Sequence, residues 1–289
     1  MFPDDLTFCP PFRFFKFRKR LRQKTVVNNE SDFKSKRENE KNQKSLSSPP
    51  IKKWENLENW SMSENRLKLD KEQINAFCRS TERFVLAGTW INPFEKMQQL
   101  RGPEKLFSDL KRQPAEFFEL LRQVHEFYLK ELELWAQTEV DGLCLMDDWG
   151  GQKSLLISPE LFRQLFKPLY ADYALIAKKY NKYLFFHSDG YILDLLPDFI
   201  ELGINAINCQ VLLMGVNKLA SFRGQITFWG SSDLPIFLGQ ASEEEISNYC
   251  KQLYDFLWEK GGFIAQVEIA PEIKISALKT YFLAWKKFL

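Results

Sequence analysis

Two rhythms of apolar and polar positions alternate along this chain from about Trp54 onward. Short apolar runs at 84–88, 141–146, 182–187, 204–209, 226–230 and 263–267 predict strands. Between them, apolar residues recur at helical spacing. Over 114–138 the stripe is Phe117, Leu121, Val124, Tyr128 and Trp135. Ser158 reads as an N-cap with Pro159 at the first helical position, and Phe162, Leu165, Phe166, Leu169, Tyr173 and Ile176 follow on one face of a single helix. A helix over 192–202 is closed by Gly203, a residue free to take the left-handed conformation that ends helices. Ser242-Glu243-Glu244-Glu245 has the reciprocal capping pattern, and a last helix is predicted over 273–288.

Strands and helices taking turns at this spacing form βαβ units, and so an α/β fold around a parallel sheet. The chain has neither G-x-G-x-x-G nor a P-loop lysine motif, which removes support from nucleotide-binding doubly wound sheets. The pattern supplies six strands after residue 80, whereas a closed (β/α)8 barrel needs eight. The first 80 residues offer no clear pair to complete it. An open sheet exposes edges that proteins normally cover, so a partner or the N-terminal arm is expected there.

Composition adds limits. With 289 residues, 45% hydrophobic and 15% aromatic, the chain can bury a large core. No apolar run reaches the roughly 18 residues of a membrane span, and the acidic start does not read as a signal peptide, so a cytoplasmic protein is expected. Five scattered cysteines without a C-x-x-C pair argue against a disulfide framework or zinc finger, and Cys144 and Cys209 read as buried thiols. Residues 1–53 hold 14 Lys+Arg against 6 Asp+Glu, while the remainder holds 26 against 32. The expected organisation is a basic, largely disordered segment over 1–53 and a barrel domain over 54–289. A solvated tail, with no folded basic motif, makes nucleic acid an unlikely partner.

Polar clusters follow the predicted strands one after another: Asp147, Asp148 and Gln152; His187, Ser188 and Asp189; Asn208 and Gln210; Ser231, Ser232 and Asp233; Gln266 and Glu268. In a parallel barrel these positions share the carboxyl rim. Each alone has a structural explanation, because carboxylates cap turns and Asp-Gly is a common turn pair. His187 is the sharpest candidate, since imidazole titrates near neutrality and ligates metals. With Asp189 and Glu268 it makes a candidate set of one imidazole and two carboxylates, suited to hard cations. His187, Asp189 and Asp148 are the catalytic candidates, and Asp147, Gln152, Asn208, Gln210 and Gln266 the substrate-binding ones. Asp147 and Asp148 are adjacent on extended chain, where neighbours point to opposite sides. His125, flanked by polar residues, reads as a surface group. No G-x-S-x-G elbow is present.

These segments are also where the chain resembles a known family. From about Trp54 to Leu289 it is similar to the uroporphyrinogen decarboxylase superfamily. The matching pieces are Phe94-Glu95-Lys96-Met97 to Leu100-Arg101-Gly102, Asp141-Gly142 with Asp147-Asp148-Trp149-Gly150, Ile157-Ser158-Pro159-Glu160, His187-Ser188-Asp189-Gly190, Leu196-Pro197-Asp198 to Glu201-Leu202-Gly203, and Gly261-Gly262-Phe263-Ile264-Ala265-Gln266. The resemblance implies a TIM-type (β/α)8 barrel, here incomplete at the N-terminus, and one of two chemistries. The decarboxylase of porphyrin biosynthesis carries an early Arg-Gln-Ala-Gly-Arg motif that binds substrate carboxylates, and this chain lacks it. The cobalamin- or corrinoid-dependent methyltransferases carry His-x-Cys and a later Cys, which hold zinc and activate a thiol. His187 matches that histidine, Asp189 stands at the first Cys position, and Glu268 stands at or within one residue of the second. The expectation is a methyltransferase-like member acting on a small methylated compound or a corrinoid. It would hold zinc or a harder divalent metal on His187, Asp189 and Glu268, with a corrinoid protein as partner. Uroporphyrinogen decarboxylation is the alternative, and a catalytically silent, shortened homologue the third reading.

Overall fold

The computed structural model describes residues 49–289 apart from Lys260, Glu272 and Leu289. Most of the basic segment expected over 1–53 lies outside the described residues. Six parallel strands form one sheet: β1 Leu86–Ile91, β2 Gly142–Met146, β3 Tyr183–His187, β4 Ala206–Asn208, β5 Thr227–Trp229 and β6 Phe263–Ile264. Their spatial order is their order in the chain. Every crossover therefore steps in one direction, whereas a doubly wound sheet reverses part-way. This is an α/β fold with the winding of a TIM-type barrel, with six strands among the described residues.

Alternation along the strands sorts their side chains onto two faces. Leu143, Leu145, Leu184, Phe186, Ile207, Phe228 and Phe263 join the large core under the helices. Leu86, Cys144, Phe185, Ala206 and Trp229 form a separate small cluster on the other face, with Ile264 against it. There the small Cys144 and Ala206 leave room for Phe185 and Trp229, whose rings meet edge-on at 5.2 Å. His187 continues the Phe185 side of β3, and Asn208 the Ala206 side of β4. Both thus emerge at the carboxyl end of the inner face.

The helices are α1 Lys71–Arg79, α2 Pro93–Arg101, α3 Pro103–Arg112, α4 Ala115–Ala136, α5 Pro159–Leu165, α6 Lys167–Lys179, α7 Leu196–Glu201, α8 Val211–Met214, α9 Val216–Leu219, α10 Leu234–Gln240, α11 Glu243–Leu257 and α12 Ile275–Phe288. The long α4 buries Phe117, Leu121, Val124, Tyr128 and Trp135, as its stripe predicts. Ser158 and Ser242 cap α5 and α11 through their side chains. The single helix expected after Ser158 is two, broken at Phe166. Pro168 explains the break, because it has no N–H to give to the carbonyl four residues back. Strand β1 begins and ends later than expected. It continues past Gly88 through Thr89 to Ile91 with a bulge between Ala87 and Ile91, and the Thr89 hydroxyl donates to the Cys144 carbonyl at 2.5 Å. No helix among the described residues is long and apolar enough to cross a membrane.

Candidate functional site

The strand ends deliver their polar groups in sequence. Asp147 and Asp148 leave β2 on opposite sides. Asp147 turns toward the helices and is fully buried. Its carboxylate accepts the Phe94 N–H at 2.7 Å, the Glu95 N–H at 2.8 Å and the Tyr170 hydroxyl at 2.7 Å. It therefore anchors the first turn of α2, where unpaired N–H groups and the helix dipole favour an anion. Burial holds its carboxyl above the ordinary carboxylate range, against those three donors. Asp147, expected to contact substrate, is thus buried with both its oxygens engaged.

Asp148 turns to the rim, where it meets β3. Its Oδ1 accepts the Asp189 N–H at 2.8 Å and lies 3.8 Å from His187 Nε2. Asp189 Oδ2 lies 4.0 Å from the same nitrogen, and the Ser232 hydroxyl donates to Asp189 Oδ1 at 2.5 Å. On the other side of the ring, His187 Nδ1 is 2.6 Å from Asn208 Oδ1, and Asn208 Nδ2 donates to the Trp229 carbonyl at 2.6 Å. Asp148, His187 and Asp189 each offer one ligand atom, and these atoms all lie within 4.8 Å of one another. All three side chains are part-exposed, so a solute can reach them.

The surrounding loops are tied to this group. Ser188 is buried and accepts the Trp149 N–H at 3.0 Å. Gln210 Oε1 accepts the Gly190 N–H at 3.1 Å, so this expected substrate contact also braces the turn after Asp189. Ser231 and Asp233 accept the Val211 and Leu213 N–H groups at 3.0 and 2.9 Å, holding α8 against the end of β5. Gln266 is buried near the end of β6, against Gly230, and its Oε1 has no hydrogen-bond partner. Gln152 is exposed on the turn closed by the Gly150 to Leu155 bridge.

Glu268, expected as a metal ligand, is exposed and stands outside the convergent group; Asp148 occupies the place foreseen for it. Strand β6 ends at Ile264, earlier than the 267 expected, and Glu268 lies past that end. His125, expected at the surface, is also corrected. It bridges α4 and α6, with Nδ1 3.0 Å from the Tyr173 hydroxyl and Nε2 3.0 Å from Asp172.

Sequence reasoning missed Glu95. This half-buried carboxylate sits in the first turn of α2, and Asn92 Nδ2 donates to it at 3.0 Å. Burial raises its carboxyl above the ordinary value, the charges of Asp148 and Asp189 push the same way, and Asn92 and His187 pull it down. The available signal was its position just past the first strand, the rule that had picked out the other rim groups.

A family model described as uroporphyrinogen decarboxylase (URO-D) matches residues 37–288. The chain belongs to the URO-D family. Among solved structures, a methyltransferase from Methanosarcina mazei is similar to this URO-D chain with a TM-score of 0.60 and 16% identity. The match covers 75% of this chain and 63% of that one, so the chain spans less than two thirds of that structure. At this identity the likeness speaks for the fold alone. No curated protein matches.

Proposed function

We propose that this URO-D family chain is a methyltransferase-like enzyme with a divalent cation held by Asp148, His187 and Asp189. The methyl donor would be a small methylated compound or a corrinoid, the latter carried by a corrinoid protein. One observation carries this reading: three donor groups converge at the rim from two neighbouring strands. The donor set fits the cation class. One imidazole and two carboxylates suit a harder ion than a thiolate site does.

A bound cation would act as a Lewis acid on the acceptor nucleophile. The chain's own groups do the rest. The carbon–donor bond breaks with its electron pair left on the donor, the methyl group bonds to the acceptor, and the acceptor gives up its proton. Glu95 is the proton acceptor in this reading, because its raised carboxyl sits beside the cluster. Gln266 Oε1, buried without a partner, is an acceptor for a substrate N–H or O–H.

The decarboxylase reading fits less well. A polycarboxylate needs cations, whereas Glu95, Asp148 and Asp189 gather negative charge around His187. The test is elemental analysis of purified protein after incubation with manganese, cobalt or zinc, followed by assay of methylcobalamin with a thiol acceptor. Stoichiometric metal and metal-dependent loss of the corrinoid methyl group are expected. Metal-free protein inert toward methylcobalamin would point to a silent homologue, and coproporphyrinogen formed from uroporphyrinogen would reverse the assignment.

A further inference from the structure

His187 is bracketed by two kinds of partner that make opposite demands on its ring. On the Nε2 side stand Asp148 and Asp189, at 3.8 and 4.0 Å, too far to accept a hydrogen bond. On the Nδ1 side stands Asn208, at 2.6 Å. We propose that Asn208 is a positioning residue that fixes the tautomer of neutral His187, with the proton on Nδ1 and the lone pair on Nε2.

The argument starts at Trp229. Its backbone carbonyl has no hydrogen to give, so the Asn208 atom 2.6 Å away must be the amide NH2. The opposite orientation would set two oxygens against each other at that distance. Asn208 Oδ1 therefore faces His187, and an amide oxygen cannot donate. The hydrogen in the 2.6 Å contact belongs to Nδ1. Asn208 is 8% exposed, so water does not compete for either end of its amide.

The consequence lies on the other side of the ring. Nε2 presents a lone pair to the space that Asp148 and Asp189 also face. A lone pair and two carboxylates aimed at one region repel unless a positive centre stands among them. A neutral His187 in this tautomer can accept a cation or a proton at Nε2 and cannot donate one from it. Asn208 thus does from β4 what an outer partner does for a metal-bound histidine elsewhere: it orients the ring and selects the ligating nitrogen. The link to cation binding rests on the function proposed above; the tautomer itself does not.

The chain has two histidines, so ring-nitrogen signals are assigned by comparison with His125→Gln. Long-range proton–nitrogen NMR on EDTA-treated protein at a pH of about 8.5, above the ordinary imidazole range, reads the tautomer directly. The expected result is a protonated Nδ1 and a bare Nε2 at His187. Asn208→Leu should release the ring to the Nε2–H form and weaken Mn2+ binding by about 10–100-fold, measured by titration calorimetry. The tautomer read on the wild-type protein carries the test if the leucine variant fails to fold. A wild-type ring with the proton on Nε2 overturns the proposal. So does a folded Asn208→Leu whose His187 keeps the proton on Nδ1. Wild-type protein that binds no Mn2+ sinks the cation reading alone, and the tautomer result still decides the role of Asn208.

Discussion

Gly150 and Gly190 meet backbone to backbone. A β-carbon built on Gly150 would lie 2.4 Å from the Gly190 carbonyl carbon, and one built on Gly190 would lie 2.1 Å from the Gly150 oxygen. Gly190 also has φ +82°, which disfavours any side chain. This contact sets the spacing of the two turns that carry Asp148 and Asp189. Alanine at either position should destabilise the protein by about 3 kcal/mol or more, since backbone on both sides must move. Urea denaturation reads this. A wild-type midpoint in either variant would show that the turns are not packed as described.

The identity of the third metal donor is open to a direct comparison. Asp148→Asn should lower cation affinity about tenfold or more, and Glu268→Gln should leave it within about twofold, because Asp148, and not Glu268, stands with His187 and Asp189. Equilibrium dialysis with manganese on both variants tests the pair. Loss of binding in the Glu268 variant would return that residue to the site.

Asp147 belongs to the fold rather than to the substrate. Asp147→Ala leaves the Phe94 and Glu95 N–H groups and the Tyr170 hydroxyl without their acceptor. A loss of about 3–5 kcal/mol is expected from unsatisfied buried donors and the cavity left behind. Thermal or chemical unfolding measures it, and a loss below about 1 kcal/mol would contradict the anchoring role.

Asp198 makes stability depend on pH in a stated direction. Burial disfavours its anion, but Arg163 and Lys167 outweigh burial and hold its carboxyl below the usual range. A depressed folded-state value stabilises the protein above the unfolded carboxylate value of about 3.9 and loses that contribution as pH falls through the folded value. Asp198→Asn should cost about 1–3 kcal/mol at pH 7, reduced because Arg163 is half-exposed. The gap between variant and wild type should narrow as the pH is lowered beneath about 4. A gap that stays constant across that window would remove the ion pair as its cause.

Much of the frame was legible because strands buried on both faces leave uninterrupted apolar runs. All six strands of the sheet overlap such runs, β1 extending three residues past its own. The rim was legible as a set because parallel strands share a polarity, so His187, Asp189 and Asp148 were all named beforehand. What periodicity cannot carry is depth. Alternation along extended chain puts Asp147 and Asp148 on opposite sides, but does not say which of the two lies under α2 and which at the rim. Glu268 stands outside the group, past the end of β6 at Ile264, an end that the apolar run to 267 does not announce. The corrected surface role of His125 depends on Tyr173 and Asp172, forty-odd positions away on another helix.

Four of the bonds around the rim share one reach along the chain. His187 to Asn208, Asn208 to Trp229, Gly190 to Gln210 and Val211 to Ser231 each span 20 or 21 residues. Each joins one strand end to the next, with no bond among these waiting on a distant segment. Synthesis runs from the N-terminus, so these partners are made in chain order. The last partner of the donor cluster is Ser232, which is translated before β6 and Glu268. The histidine, its two carboxylates and their hydrogen-bond partners are therefore all translated before β6.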